Sequence, residues 1–413
     1  MRRRAGRPQL KRDPLASSAT TKSPRQLLLF DTLVRSDPSL RRHTESTYQF
    51  LNRCSKPGCD DIRTELERWF ALYPDDHQGR LRIQFLSDFH SAFFELLLHQ
   101  LLLQMGYDIE IEPDVPGTDN HPDFLATRGT TRFYLEAAVA TDKTDAERRM
   151  EAAENALLDS INTISSPNFF LGVRRLEIPQ GRRPSANKIV NALQAYLSEL
   201  DPDLLTEQLK AGGLDSLPTW KYKDDNVSLE IEPVPKSPAA RGKPGLRAIG
   251  MYPMRSRWGG TDKAVRSKLL DKAGKYGRLD HPYIIAINSI SEWGTERGEV
   301  LESLFGSERL VVRPNEEVRA DRAADGLFIG PAGPRNTRVS GVLVATAYAW
   351  ALPQSRFELF HHPWAAKPLP RDALPLPQVL REGELLREQP GEAIHRILGI
   401  PDEWPNGPLA EDA

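Results

Sequence analysis

Several features that would settle the class of this chain at once are scarce or missing. There are two cysteines, Cys54 and Cys59, in 413 residues. A secreted disulfide framework needs more, and a structural zinc site needs four ligands at suitable spacing. Both are therefore expected as reduced thiols of a cytoplasmic protein. No run of roughly 18 apolar residues occurs, so no membrane-spanning segment is expected. The basic N-terminal stretch lacks the apolar run of a secretory signal. Neither a Gly-x-x-x-x-Gly-Lys phosphate loop nor a Gly-x-Ser-x-Gly nucleophile turn is present, which excludes the commonest nucleotide and acyl-transfer sites. Glycines at Gly326 to Gly330 and in Trp258-Gly259-Gly260 fit turns instead. No internal repeat is found.

Net charge is also small, −2 overall, but unevenly spread. Residues 1–42 hold 11 Lys and Arg against three Asp and Glu. Residues 1–24 are rich in Arg, Ser, Thr and Pro and are expected to be a disordered basic tail. Its Arg2-Arg3-Arg4-Ala5-Gly6-Arg7-Pro8 run could neutralise nucleic-acid phosphates, although a solvated tail is the plainer reading.

The remaining pattern is that of a mixed α/β protein. Residues 25–77 carry short helical patterns, Arg25 to Val34 and Asp60 to Leu72, and read as a helical extension. A long helix is expected from Gly79 to Met105, closed by Gly106. Its second half is apolar nearly all round, which predicts burial between layers. One polar stripe remains, Gln84, Asp88, Ser91, Glu95 and His99, at spacings that share a face. Strands are expected over Tyr107 to Glu112, Pro122 to Arg128 and Thr131 to Ala140, the last two joined as a hairpin at Gly129-Thr130. A capping box at Thr144 to Glu147 then predicts a helix to about Ile164. Asn168 to Ile178 reads as a fourth strand. Residues 78–178 thus form an expected core, and 179–362 an α/β elaboration or second domain. That second region includes a lysine-rich helix, Thr261 to Tyr276, and an apolar strand, His281 to Ile290. A closing hairpin is expected over Val339 to Trp350 and Arg356 to His361. Residues 363–413 are proline-rich and are expected to wrap the surface, with one short helix near Gly391 to Leu398.

Three acids fall on this frame in a chemically suggestive way. Asp123 follows Pro122 at the start of the second strand. Glu136 lies mid-strand in Tyr134-Leu135-Glu136-Ala137-Ala138, thirteen residues on. Alternation puts Phe133, Leu135, Ala137 and Val139 on one face and Tyr134, Glu136 and Ala138 on the other. Hairpin pairing would bring Asp123 beside Glu136. Glu95 stands amid Phe93, Phe94, Leu96 and Leu97, where an unpaired carboxylate is costly. Separately, each acid has a plainer reading: a turn acid, an edge-strand acid and a core acid paired with His99. His99 and His121 are expected to be structural.

Glu95 in the first helix, Pro122-Asp123, and Glu136-Ala137-Ala138, in the order helix, three strands, helix, strand, resemble the PD-(D/E)XK (restriction endonuclease-like) nuclease superfamily. The resemblance covers about a quarter of the chain. It implies an αβββαβ core with a mixed sheet, and metal-dependent hydrolysis of DNA, or of RNA by the same chemistry. By position it assigns Mg²⁺ or Mn²⁺ to Asp123, Glu136, Glu95 and the Ala137 carbonyl. The family's lysine falls on Ala138, which can neither orient water nor stabilise charge. A substitute cation is expected from Lys143 past the strand end, from Arg148 or Arg149, or from Lys268, Lys272 and Lys275 on the later helix. That later helix, with Lys263, Arg266 and Arg278 as well, also suits contact with nucleic-acid phosphates through Lys268, Lys272 and Lys275. The alternative is a catalytically inactive nuclease-like module that binds nucleic acid or a protein partner.

Overall fold

The apolar helix that the sequence places between layers does lie there, and it fixes the architecture. The computed structural model describes residues 27–141, 145–243, 246–252, 261–290, 296–311, 319–383 and 385–406. The basic tail, Lys143, the Thr144 cap and Trp258-Gly259-Gly260 lie outside the described residues. In chain order the helices are α1 (Thr47–Arg53), α2 (Pro57–Phe70), α3 (Asp75–Ser87), α4 (Phe89–Gln104), α5 (Asp145–Ile161), α6 (Ala186–Ser198), α7 (Pro202–Gly212), α8 (Thr261–Gly274), α9 (Arg297–Phe305) and α10 (Ile394–Leu398). The strands are β1 (Asp108–Ile111), β2 (Phe124–Arg128), β3 (Thr131–Thr141), β4 (Phe169–Glu177), β5 (Trp220–Lys223), β6 (Ser228–Pro235), β7 (Ile249–Met251), β8 (Tyr283–Ile290), β9 (Glu308–Val311), β10 (Arg319–Arg322), β11 (Ile329–Gly330), β12 (Gly333–Pro334), β13 (Gly341–Thr346), β14 (Arg356–His361), β15 (Gln378–Glu382) and β16 (Leu385–Gln389).

An eight-stranded mixed sheet in the order β1-β2-β3-β8-β13-β14-β15-β16 forms the centre. β1, β2 and β3 are antiparallel neighbours, β3 and β13 flank β8 in parallel, and β13 and β14 form the expected hairpin. Two cores cover its faces. One joins Phe133 and Leu135 of β3 to α1 to α4 and α10. The other joins Tyr134, Ala138 and Ala140 of β3 to α8 and α9. The alternation along β3 thus sorts side chains between two helical layers.

The long helix expected over Gly79 to Met105 is two helices. Asp88 ends α3 and caps α4, its carboxylate accepting from the Ser91 N–H at 3.2 Å and Ser91 Oγ at 2.7 Å. A short acidic side chain satisfies backbone donors that an unbroken helix would use itself. The break lets α3 turn back along α4 and carry Arg80 to it.

A larger difference concerns the fourth strand. β4, expected beside the first three, sits instead in a separate four-stranded sheet, β5-β6-β4-β7. That sheet has its own apolar core with α5, α6 and α7. Residues 145–251 therefore form a unit placed between β3 and α8, and the division at residue 178 is not a boundary in the structure. The place beside β3 belongs to β8, paired Glu136 to Ile285 and Ala138 to Ile287. The order around the site is α4, β1, β2, β3, α8, β8.

Two terminal expectations also change. The helix expected at Arg25 to Val34 is not formed over residues 27–34. There the chain has no regular secondary structure and bends at Leu29 and Phe30, with both N–H groups bonded to the Glu67 carboxylate at 3.0 and 2.7 Å and both side chains buried. The proline-rich C-terminal segment does more than wrap the surface. It adds β15 and β16 to the main sheet and places Leu374, Leu376, Ile394 and Leu398 in the core.

Candidate active site

The site is built where β2 begins. β2 and β3 pair from Phe124 with Leu135 onward, so Asp123 lies just off the end of β2, level with Glu136. There Asp123 Oδ2 accepts the Ala137 N–H at 2.6 Å, a backbone donor that β2 would otherwise satisfy. In a strand the N–H and C=O of one residue point the same way. The Ala137 carbonyl is therefore directed to the same edge as Asp123.

Glu136 faces the layer of α8 and is fully buried. Its Oε1 accepts from Lys272 Nζ at 2.5 Å and Lys275 Nζ at 2.9 Å. The Tyr276 hydroxyl is shared between Glu136 Oε2 and the His121 carbonyl, the latter at 2.8 Å. Lys272 lies in the last turn of α8, and Lys275 and Tyr276 follow just past its end at Gly274, so this end of the helix delivers all three. Tyr283 of β8 anchors that end by donating to the Lys272 carbonyl at 3.1 Å. Ala138 packs in the same layer as Val265, Leu269 and Ala273 of α8. The end of α8, with one lysine in its last turn and another just past it, thus covers the face where the strand itself presents only a methyl group.

Glu95 reaches the site from α4, on the other face of the sheet. Its Oε1 accepts from the Tyr73 hydroxyl at 2.6 Å and from Arg80 Nη2 at 2.6 Å. Arg80 extends outward to Glu112 at 3.5 Å. His99, one turn along α4, packs tilted against Tyr73 with ring centroids 4.7 Å apart and makes no contact with the acids among the described bonds. Burial lowers its pKa to about 4, so it is neutral near pH 7.

Electrostatics record how crowded the acids are. Burial, then the charge of Glu136, then that of Glu95 push the Asp123 carboxyl up to about 7. The Ala137 N–H and Lys272 oppose this and do not prevail. Asp123 is only partly exposed, and a neighbouring carboxylate on each side explains the direction. Burial and Glu136 hold the Tyr276 hydroxyl above its ordinary pKa, and burial and Glu95 do the same for Tyr73. Both stay protonated and serve as donors. Burial works against the Arg80 charge, but its bonds to Glu95 outweigh this and raise its pKa.

The candidates named from the sequence separate accordingly. Asp123, Glu136 and the Ala137 carbonyl share one edge. Glu95 is held on Tyr73 and Arg80 behind them rather than open beside them. Lys272 and Lys275 turn inward to Glu136, and they are not part of a fully solvated row tracking phosphates. Lys268, one turn earlier, is exposed. Lys143 is outside the described residues, as is the side chain of Lys263, and Arg266 is bound to Asp325 at 3.1 Å. Tyr73, Arg80 and Tyr276 were not singled out from the sequence. A buried acid needs donors, so the burial of Glu95 itself points to polar partners on the helices before it. Among the described residues, no three His, Cys, Asp or Glu side chains gather closely enough to hold a metal by themselves. Two carboxylates and a backbone carbonyl are what the edge offers, an all-oxygen set suited to a hard cation.

Nor is there a helix, among the described residues, long and apolar enough to cross a membrane. Comparison of the chain with protein-family models, with curated proteins and with solved structures found no match.

Proposed function

We propose that this protein is a metal-dependent phosphodiesterase acting on DNA through a restriction endonuclease-like site, with Lys272 and Lys275 in the role of the lysine missing at Ala138. The carrying observation is that both ammonium groups meet Glu136 beside Asp123, at 2.5 and 2.9 Å. The succession α4, β1, β2, β3, α8, β8 supports an αβββαβ core interrupted by the 145–251 unit.

A divalent cation fits the site on two grounds. Burial, and then the charges of Glu136 and Glu95, push Asp123 up to about 7, and a bound cation relieves the part due to the acids. The Ala137 carbonyl is aimed at the same edge. Asp123, Glu136 and that carbonyl would hold Mg²⁺ or Mn²⁺, which when bound polarises a phosphoryl oxygen and acidifies water. The protein's own groups do the rest. Lys272 and Lys275 neutralise charge that develops on the phosphate. Tyr276 fixes the rotamer of Glu136. Arg80 and Tyr73 hold Glu95 in place. Lys268, exposed on the same helix, extends the positive surface toward the nucleic-acid backbone.

The test is cleavage of linear and circular DNA with Mg²⁺ or Mn²⁺, paired with Mn²⁺ calorimetry. Wild type is expected to cut and to bind Mn²⁺, and Asp123→Ala to do neither. Unchanged Mn²⁺ binding in Asp123→Ala removes the metal site.

One observation favours a second reading. Both oxygens of Glu136 are occupied by protein donors, as a site closed on itself would be. On that reading the module binds nucleic acid or a protein without cutting. DNA binding with no cleavage under any divalent cation selects it.

A further inference from the structure

In the 145–251 unit, half of one strand edge is left open. β4 pairs with β6 along one side as far as Glu177, but on the other side β7 reaches only Leu171 and Gly172. Beyond Gly172, that side of β4 has no strand partner among the described residues. The backbone there points outward. The Asp224 N–H bonds the Val227 carbonyl at 3.0 Å and closes the β5–β6 turn. Counted from that pair, Leu229 is bonded to β5, while Ser228 and Glu230 are directed at β4. Those two pair with Glu177 and Arg175. The N–H and C=O of Leu176, between them, are therefore aimed at the open side.

A groove of about 370 Å³ lies at this stretch, lined by residues 174–178 and, from α5, by Met150 and Glu154. No residue of β6 lines it, which puts it on the open side. Met150 and Glu154 continue the stripe of Leu157, Leu158 and Ile161 by which α5 packs on the sheet. Those three leucine and isoleucine side chains are buried, whereas Met150 is 40% exposed. The first turns of α5 thus extend past the strands that are present, over the place of one more.

This edge is complementary to itself. Arg175 and Glu177 are exposed on the wet face, 2.8 Å from each other, and Leu176 between them belongs to the core face. A second β4 laid antiparallel about Leu176 sets Arg175 opposite Glu177 and Glu177 opposite Arg175. Leu176 then meets Leu176, each giving its N–H to the carbonyl of the other. Moving the axis one residue either way sets like charges opposite. Gln180 and Gly181 fall opposite Gly172 and Leu171 of the second copy, where its β7 stands. By then the chain has left the strand and is turning, the Arg182 N–H bonded to the Pro179 carbonyl at 3.0 Å.

We infer that this edge is an interface between two copies of the chain, joined β4 to β4 about Leu176 into one continuous sheet with both α5 helices over the seam. An open edge accepts an extended strand, and the charges on this one select a second copy of itself. The interface is separate from the acidic site and does not rest on the function proposed for it.

Sedimentation velocity of the full chain across a micromolar concentration series tests this, and wild type is expected to dimerise. Arg175→Glu and Glu177→Arg each create like-charge pairs twice across the two-fold axis, and each is expected to weaken the dimer about tenfold. Both residues are exposed, so the fold is not at risk. The exchanged variant Arg175→Glu/Glu177→Arg is expected to recover wild-type association. Leu176→Cys is expected to give a disulfide-linked dimer on oxidation, since residues so paired have Cα atoms about 5.5 Å apart. A wild type that stays monomeric overturns the inference, even if the edge takes up a segment of another protein. A dimer unmoved by the single substitutions, or one that the exchange does not recover, also overturns it, because the copies then meet elsewhere or in another register. So does a Leu176→Cys variant that remains dimeric without cross-linking.

Discussion

Two glutamates, each buried on an inner strand, meet different fates in this molecule. Glu232 of β6 lies in the four-stranded sheet and is nearly inaccessible, yet among the described residues its partner is a single arginine. Arg174 grips it at 2.8 and 3.1 Å and is itself two-fifths exposed, reaching on to Asp215. Glu136 of β3 is as deeply buried but has two lysines and a tyrosine on it, and a second carboxylate beside it that is pushed up to about 7. A fold that needs only to tolerate a buried acid provides one good cation. Gathering several acids and several cations at one strand end raises the energy of the assembly and serves no purpose in packing. Excess of that kind is what separates a candidate site from a satisfied core acid.

The contrast can be broken by stability measurements. Glu136→Ala leaves two ammonium groups inside without their carboxylate, and a loss of about 3–5 kcal/mol is expected in urea unfolding. Glu232→Ala leaves an arginine that can turn to water, and about 1 kcal/mol is expected. Equal losses would mean that the two centres are the same kind of structural pair.

A pH series sharpens the comparison further. The folded-state pKa of Asp123, about 7, lies above its ordinary value of 3.8. Between those limits the folded state holds the proton more tightly than the unfolded chain, so stability falls as pH rises through this window. Below it both states are protonated and the contribution is constant. Asp123→Asn is expected to flatten this part of the stability profile, measured from pH 5 to 8. The same slope in wild type and variant would remove the crowding of the acids from consideration.

Smallest of all should be Lys268→Ala. The residue is exposed, so stability should change by less than about 0.5 kcal/mol. If the helix borders bound DNA, the slope of log K against log salt should drop by about one. An unchanged slope places the duplex elsewhere.

Much of the acidic half of the site was legible in the sequence. The alternation in Thr131 to Ala140 and the Gly129-Thr130 turn were enough to put Asp123 level with Glu136. The apolar run around Glu95 was enough to bury α4. The cationic half was harder, because it depends on which distant strand lies beside β3. Proximity in sequence suggested β4, but Phe169–Glu177 carries Arg174 and Arg175 in succession, marks of a strand with a wet face. Tyr283–Ile290 is apolar almost without interruption, as a strand buried on both faces in a parallel pairing should be. That signal was present and pointed to β8, with α8 before it. The break at Asp88 was less visible, since both neighbouring segments favour helix and only the capping bonds of one aspartate divide them. The placement of Arg80 on Glu95 follows from that break and shares its obscurity.

The insertion of a whole unit between β3 and α8 has a consequence in time. Glu136 and Lys272 stand 136 positions apart along the chain. At ordinary rates of synthesis the ribosome needs on the order of ten seconds to travel that far. Through that interval the nascent chain carries its acids without the lysines that complete them. On the proposed function, the site stays without its lysines, and so idle, until α8 has been made.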